Sequence, residues 1–513
     1  MNNSFAGFKA LVTFAILLPV AIILGYTLSN PLSYSTFATI GIVLGVMTFP
    51  FFLKWHQPML ILCWNLAAII PFIKGQPRIG LVVAALAFSL ALFERALDRN
   101  MRFVQVWQVT TPLFLLALVV LLTSGLTGGI GLRTFGSEVY GGKKYVFLLA
   151  SIAAYFALTA WQIPAAKGKF YVGLFFLGSV FGFVSDLYPF FPSWLEFTAW
   201  FFPPTGYVST ETLANGVARF PGIATAGEAL FFLMIMRYGL RGIFLSGKLW
   251  RPVLLTLFFS TVFVGGFRSM ILLSIIVCIV QFFLEGLHRT RLMPLFVGVG
   301  MLCAVLLIPF ASKLPFTFQR ALAFLPLDIS TAARFDAQQS SQWRIDIWEA
   351  LLPQVPQYFW LGKGYAIHQE DYQMMGLDTS FRAIDASDRG LALAGDYHNG
   401  PLSVILPFGV WGGLAFLWFL WAGGRVLYFN YRYGDPTLKL VNTFLLTLFI
   451  CRTMVFLFVY GALNTDIWRF AGTVGLSVAL NNGMCRKVAR LNEETIESNP
   501  RPVLLRARPS FQR

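Results

Sequence analysis

Thr261–Gly286 reads TVFVGGFRSMILLSIIVCIVQFFLEG, and its one arginine, Arg268, interrupts an apolar stretch that runs over residues 252–285. That length predicts two short helices meeting near Arg268. Each half rises about 24 Å at roughly 1.5 Å per residue, against a hydrocarbon core of about 30 Å. The stretch therefore reads as two membrane spans, with the guanidinium at or just below one membrane surface. A charge at that depth needs an anionic partner. A pyrophosphate headgroup suits a bidentate guanidinium. A snorkelling arginine, with its stem in lipid and its head in water, is the alternative.

The whole chain supports the membrane reading. Its 513 residues are 57% hydrophobic and 12% charged, with mean hydropathy +0.69. A soluble protein carries about 25% charged residues. Apolar runs of spanning length recur near 8–28, 34–53, 57–73, 79–93, 108–124, 145–163, 170–187, 223–238, 252–267, 270–285, 292–310, 401–422, 438–460 and 468–482. The expected fold is an all-α polytopic integral membrane protein of about 14 (12–14) spans, because lipid offers backbone groups no partner outside a helix. The run at 8–28 is expected to be a retained span, since no small-residue cleavage site follows it.

Placing the N-terminus inside puts the excess of Lys and Arg on the inner side, as the positive-inside rule requires. The formal net charge of +16 then reports topology, and no nucleic-acid partner is needed to explain it. Both termini are expected on the cytoplasmic side. Two hydrophilic segments fall outside. One holds WLEFTAWFFPP, Trp194–Pro204, an aromatic stretch suited to the interface. The other is a large loop over 311–400, a candidate catalytic or acceptor-binding domain. The expected divisions are an N-terminal transmembrane bundle (1–250), a core with the outer loop (251–425), C-terminal spans (426–485) and a basic, disordered cytoplasmic tail (486–513). The five cysteines, Cys63, Cys278, Cys303, Cys451 and Cys485, show no metal-ligand spacing.

The outer loop holds the polar residues with chemical potential. In SSQWRIDIWEALLP, Ser340–Pro353, a serine is a candidate helix cap and Pro353 a stop. Trp343, Ile347 and Leu351 would form one apolar face. Arg344 and Trp348 stand four apart, so the indole is placed to brace the guanidinium. LGKGY, Leu361–Tyr365, presents Lys363 between glycines, a candidate anion-binding turn. His368, Glu370 and Asp371 are poorly spaced as ligands, no D-x-D occurs, and no metal or other cofactor is expected. His398 stands in GDYHNGPLSVILPFGVWGG, Gly395–Gly413, at the head of a span. A histidine titrates near neutrality and is suited to move a proton from a sugar hydroxyl. Asp396 and Tyr397 are candidates to orient it, and Asn399 to cap the helix or bind a sugar. Arg452 interrupts another span and should face the bundle interior, paired with Glu228 in a structural ion pair or as an intramembrane substrate site.

These elements, in this order, resemble the bacterial O-antigen ligase and O-antigen polymerase superfamily over about residues 250–425. The resemblance rests on Arg268-Ser269, on Arg344 with Trp348, on Gly362 and Gly364, on His398-Asn399, and on Gly409 with Gly412. It implies a metal-independent, inverting glycosyltransferase of the inner membrane. The donor would be a glycan on undecaprenyl pyrophosphate, and the acceptor lipid A–core, another lipid-linked glycan or a protein hydroxyl. Arg268, Arg344 and His398 would be catalytic, and Arg268, Arg344, Asn399, Trp348 and Lys363 would bind substrate. The competing reading is a flippase-like transporter of lipid or polysaccharide, which predicts charges strung through the span interiors.

Overall fold

The computed structural model describes parts of 18–29, then residues 34–97 except 74, 103–129, 131, 141–205, 208–209, 218–290, 292–367 and 395–486. The span expected at 8–28 falls largely outside these residues. His368, Glu370, Asp371 and the tail beyond residue 486 lie outside them too. Among the described residues the fold is all-helical, apart from one isolated antiparallel bridge between Ile69 and Arg78. The helices used below are α1 (Tyr34–Cys63), α2 (Ile79–Leu97), α3 (Trp107–Thr127), α4 (Gly142–Thr159), α5 (Gly168–Val180), α6 (Pro221–Phe244), α7 (Trp250–Val264), α8 (Arg268–Leu284), α9 (Leu292–Phe310), α10 (Phe316–Ala321), α11 (Thr331–Leu351), α12 (Gly400–Tyr433), α13 (Lys439–Phe458) and α14 (Leu463–Asn481).

Six helical stretches among the described residues are long and apolar enough to cross a membrane: Ile79–Leu97, Trp107–Thr127, Ala165–Phe190, Pro221–Phe244, Gly400–Tyr433 and Pro436–Phe458. A seventh arises if the bent pair Thr39–Met47 and Phe51–Cys63 counts as one span. The expected count of about 14 is therefore not reached on this criterion. One cause is visible at residues 54–56, expected to separate two spans. Helix α1 continues through them, with His56 and Gln57 buried and His56 Nδ1 3.1 Å from the Leu53 carbonyl. A helix satisfies its own backbone groups, so polar side chains alone do not end it. The break at Arg268 is present, since α7 and α8 are two short apolar helices separated by Gly265–Phe267.

The bundle packs α6 along α7, α14 along α4, and α12 along α3. Its centre is aromatic, with Phe175, Phe231, Phe232, Phe408, Phe416, Phe419, Phe444 and Phe470 buried. Helices in lipid associate through close packing. Gly227 shows how close: a Cβ there would stand 1.7 Å from Thr261 Oγ1. Trp194, Phe197 and Trp200 are exposed on short turns.

Helix α12 is broken inside by Gly409, with φ +62° and ψ −164°. Pro407 has no N–H to donate, and only glycine takes this backbone conformation readily. The freed carbonyls are not wasted. Leu406 and Pro407 accept from the amides of Lys363 and Gly364 at 2.8 and 2.9 Å, while Val410 N donates to Phe359 O at 2.6 Å. Gly362, at φ +76°, comes so near that a Cβ would lie 2.2 Å from the Pro407 oxygen. The LGKGY turn and the glycines of α12 thus form one joint. Tyr365 N donates to the Tyr145 hydroxyl at 2.6 Å and ties that joint to α4.

Several helix ends meet at one end of the bundle. Phe220 N, heading α6, donates to Val264 O, ending α7, at 3.3 Å. Leu463 N, heading α14, donates to Ser403 Oγ in the first turn of α12 at 2.9 Å.

Candidate active site

Helix α11 builds one wall at that end. Ser330 caps it, accepting from Ala333 N at 3.3 Å, so it starts well before the expected caps Ser340 and Ser341. Ser341 sits within the helix instead, because its hydroxyl bonds back to Ala337 O at 3.1 Å and leaves the backbone ladder intact. Ile347 and Leu351 are buried on the expected apolar face, and Trp343 packs beside them.

Arg268 opens α8. Its Nη2 donates to Ala337 O at 3.2 Å and to Ser341 Oγ at 3.0 Å, which fixes the guanidinium against α11. Two further arginines, which no spacing in the sequence points to, stand nearby. Arg320, buried on α10, donates to Gly266 O at 2.8 Å and pairs closely with Asp336. Arg219 reaches the same Asp336 at 3.2 Å. Burial pushes the Arg268 guanidinium below its usual range, the charges of Arg344 and Arg320 push the same way, and Asp336 opposes them. Burial also lowers Arg344, where Tyr460 opposes the shift and Arg320 adds to it. An arginine so perturbed remains charged. The result is a positive basin: Arg219, Arg268 and Arg320 act on Asp336, and Arg344 stands beside Arg268 and Arg320.

His398 lies beside it, between two rings. Trp343 meets the imidazole edge-on at 4.9 Å, and Tyr460 stacks on it at 5.1 Å. The Arg344 guanidinium packs over the same rings, 5.7 Å from Trp343 and 6.0 Å from Tyr460. Arg344 Nε is buried with no hydrogen-bond partner among the described residues. The backbone of His398 is left-handed, at φ +49°. That conformation is uncommon for a residue with a side chain and is held here by its neighbours. The expected brace between Trp348 and Arg344 is not formed. Trp348 Nε1 instead donates to Tyr397 O at 2.9 Å, pinning the residue before His398. Asp396 Oδ1 stands 3.5 Å from His398 Nδ1, in ion-pair range. Burial raises the Tyr397 phenol above its usual range and keeps it neutral. Asn399 caps α12, its side chain accepting from Leu402 N at 3.0 Å.

Two further expectations change. The amides of Lys363 and Gly364 are bonded into the α12 joint, so the turn presents no backbone cradle to an anion. The Lys363 ammonium lies 5.9 Å from the Tyr358 ring. Arg452 and Glu228 act on one another electrostatically but form no direct ion pair within 4.0 Å. Sequence spacing could not reveal Arg219, Arg320, Asp336 or Tyr460, which reach the site from four separate segments.

The structure brings Arg268, Arg344 and His398 together, with Trp348 and Asn399 supporting the histidine. All five fall within residues 253–417, which match the protein-family model described as O-Antigen ligase. That segment is similar to the O-antigen ligase and polymerase superfamily. No curated protein matches the chain. The O-antigen-ligase-like segment also holds Arg320, Asp336 and the joint in α12. Arg219, Tyr460 and Arg452 lie outside it, so the ring stacked on His398 comes from beyond that segment.

Proposed function

We propose that this protein is a membrane glycosyltransferase that moves a glycan from undecaprenyl pyrophosphate to an acceptor hydroxyl at the outer face of the inner membrane. One observation carries the reading: Arg268, Arg344 and His398, far apart in sequence, converge at one end of a helical bundle, two cations and a base at one site. His398 takes the proton of the acceptor hydroxyl as its oxygen forms a bond to the anomeric carbon. The bond from that carbon to the pyrophosphate oxygen breaks, and undecaprenyl pyrophosphate leaves. Arg268 and Arg344 bind and neutralise the departing charge, with Arg320 and Arg219 deepening the basin, so the transfer needs no divalent ion. Attack from the face opposite the leaving group inverts the anomeric centre. Lys363 would supply a further cation for substrate. In this reading the span ends carrying the site face the periplasm, and the acceptor is lipid A–core, another lipid-linked glycan or a protein hydroxyl.

The test is reconstitution in vesicles with a lipid-linked oligosaccharide. A ladder of longer lipid-linked products identifies a polymerase. Single transfer that requires added lipid A–core or protein identifies a ligase. No transfer to any of these acceptors contradicts the proposal.

A further inference from the structure

A second group of charges lies beyond Tyr460. Arg469 Nη1 pairs with Asp466 Oδ1 at 2.9 Å, and Asp466 Oδ2 also accepts from Ala462 N at 2.9 Å. Arg469 is six residues into α14, Arg452 six before the end of α13 and Glu228 seven into α6, so each lies about 10 Å below the same end of the bundle at roughly 1.5 Å per residue. Glu228, Arg452 and Arg469 act on one another electrostatically, and Arg78, just before α2, acts on Arg469. Glu228 Oε1 and Arg452 Nη1 are buried without hydrogen-bond partners among the described residues. Buried charges are normally paired, so two unmatched atoms in one cluster call for a reason. Half of the Arg469 side chain (50%) is exposed, so the cluster is open at Arg469.

Position gives this group a role. Arg268 interacts with Arg344, Arg344 with Tyr460, and Tyr460 with Arg469. His398, stacked on Tyr460, stands at the divide. If the pyrophosphate lies on Arg268 and Arg344, the attacking hydroxyl must enter from the far side of His398, because the displacement is in line. Charge narrows the ligand. Arg78, Arg452 and Arg469 face Glu228 and Asp466, leaving one net positive charge, which suits a single carboxylate better than a pyrophosphate.

We propose that Arg469, Arg78 and Arg452 form an acceptor-side subsite for the carboxylate of an acidic sugar. The word "acceptor" rests on the transferase reading above, while the binding itself does not.

The test is a titration of the purified full-length protein in phosphatidylcholine nanodiscs with methyl glucuronide, methyl glucoside and inorganic pyrophosphate. The glucuronide should bind at least about 10-fold more tightly than the glucoside, a difference of about 1.4 kcal/mol. Arg469→Gln and, in a separate chain, Arg78→Gln should erase that preference and leave pyrophosphate binding unchanged. Arg268→Gln should do the reverse. Equal binding of the two sugars by the wild type overturns the subsite, as does undiminished glucuronide binding in both variants. Displacement of the glucuronide by pyrophosphate overturns it too. In phosphatidylglycerol nanodiscs the preference should persist; its loss there makes a lipid headgroup the occupant and overturns the sugar assignment. These measurements need no turnover, so their failure and a failure of the transferase assay are distinguishable.

Discussion

Two groups of arginines sit at the same end of the bundle and are built differently. Arg219, Arg268, Arg320 and Arg344 come from helix ends and from α10 and α11, and Asp336 bridges two of them. Arg452 and Arg469 come from within α13 and α14, alongside the carboxylates Glu228 and Asp466. The first group keeps a large surplus of positive charge; the second nearly balances. Charge in a span interior is costly and tends to be matched, whereas at the rim water shares the cost. A surplus at the rim is what a multiply charged leaving group requires.

The surplus of charge at the rim matters most at Arg344. Arg344→Lys should reduce glycan transfer about 100-fold, the usual effect of removing one transition-state donor, because an ammonium cannot reproduce the fork. Wild-type turnover by that variant, measured with lipid-linked oligosaccharide, removes the pyrophosphate contact from the account. Asp336→Asn should cost less. It leaves buried Arg320 without its counter-charge, lowering stability by about 1–3 kcal/mol and loosening donor binding. Thermal unfolding and the donor KM check both, and an unchanged KM would separate Asp336 from the basin. Trp348→Phe removes the bond to Tyr397 O and should cost about 1 kcal/mol, or roughly fivefold in transfer. Circular dichroism should show the helices intact.

The smallest expected effect concerns pH. Burial lowers the Lys144 ammonium to about 8, and Asp396 opposes the shift. Lys144 is therefore charged below about pH 8 and neutral above it, so its hold on Asp396 weakens as pH rises through that value. Transfer should fall there by about twofold, given exposed-pair energies of roughly 0.5 kcal/mol. Lys144→Gln should lack that limb, and a pH–rate profile that keeps it would assign it elsewhere.

The membrane class and the break at Arg268 were legible in the sequence, and Arg268, Arg344 and His398 stood out there as candidates. Apolar run length and residue chemistry carry that information. The span count was less legible, because polar residues such as His56 and Gln57 do not end a helix when they are buried within it. The start of α11 was misplaced because Ser341 bonds back along its own helix. Gly362, Gly364 and Gly409 were visible as a pattern, yet their role as the two halves of one joint appears only when the turn meets the break. Asp336 and Tyr460 were illegible for the same reason: each meets Arg219 or His398 through a contact distant in sequence.

In the proposed reaction His398 is the base beside a pyrophosphate basin. The most direct test compares wild type and His398→Ala, purified and reconstituted with the same lipid-linked oligosaccharide and acceptor. Transfer should fall by about 100-fold or more in the variant, while donor binding and the helical spectrum remain. Transfer at the wild-type rate by His398→Ala would contradict the account.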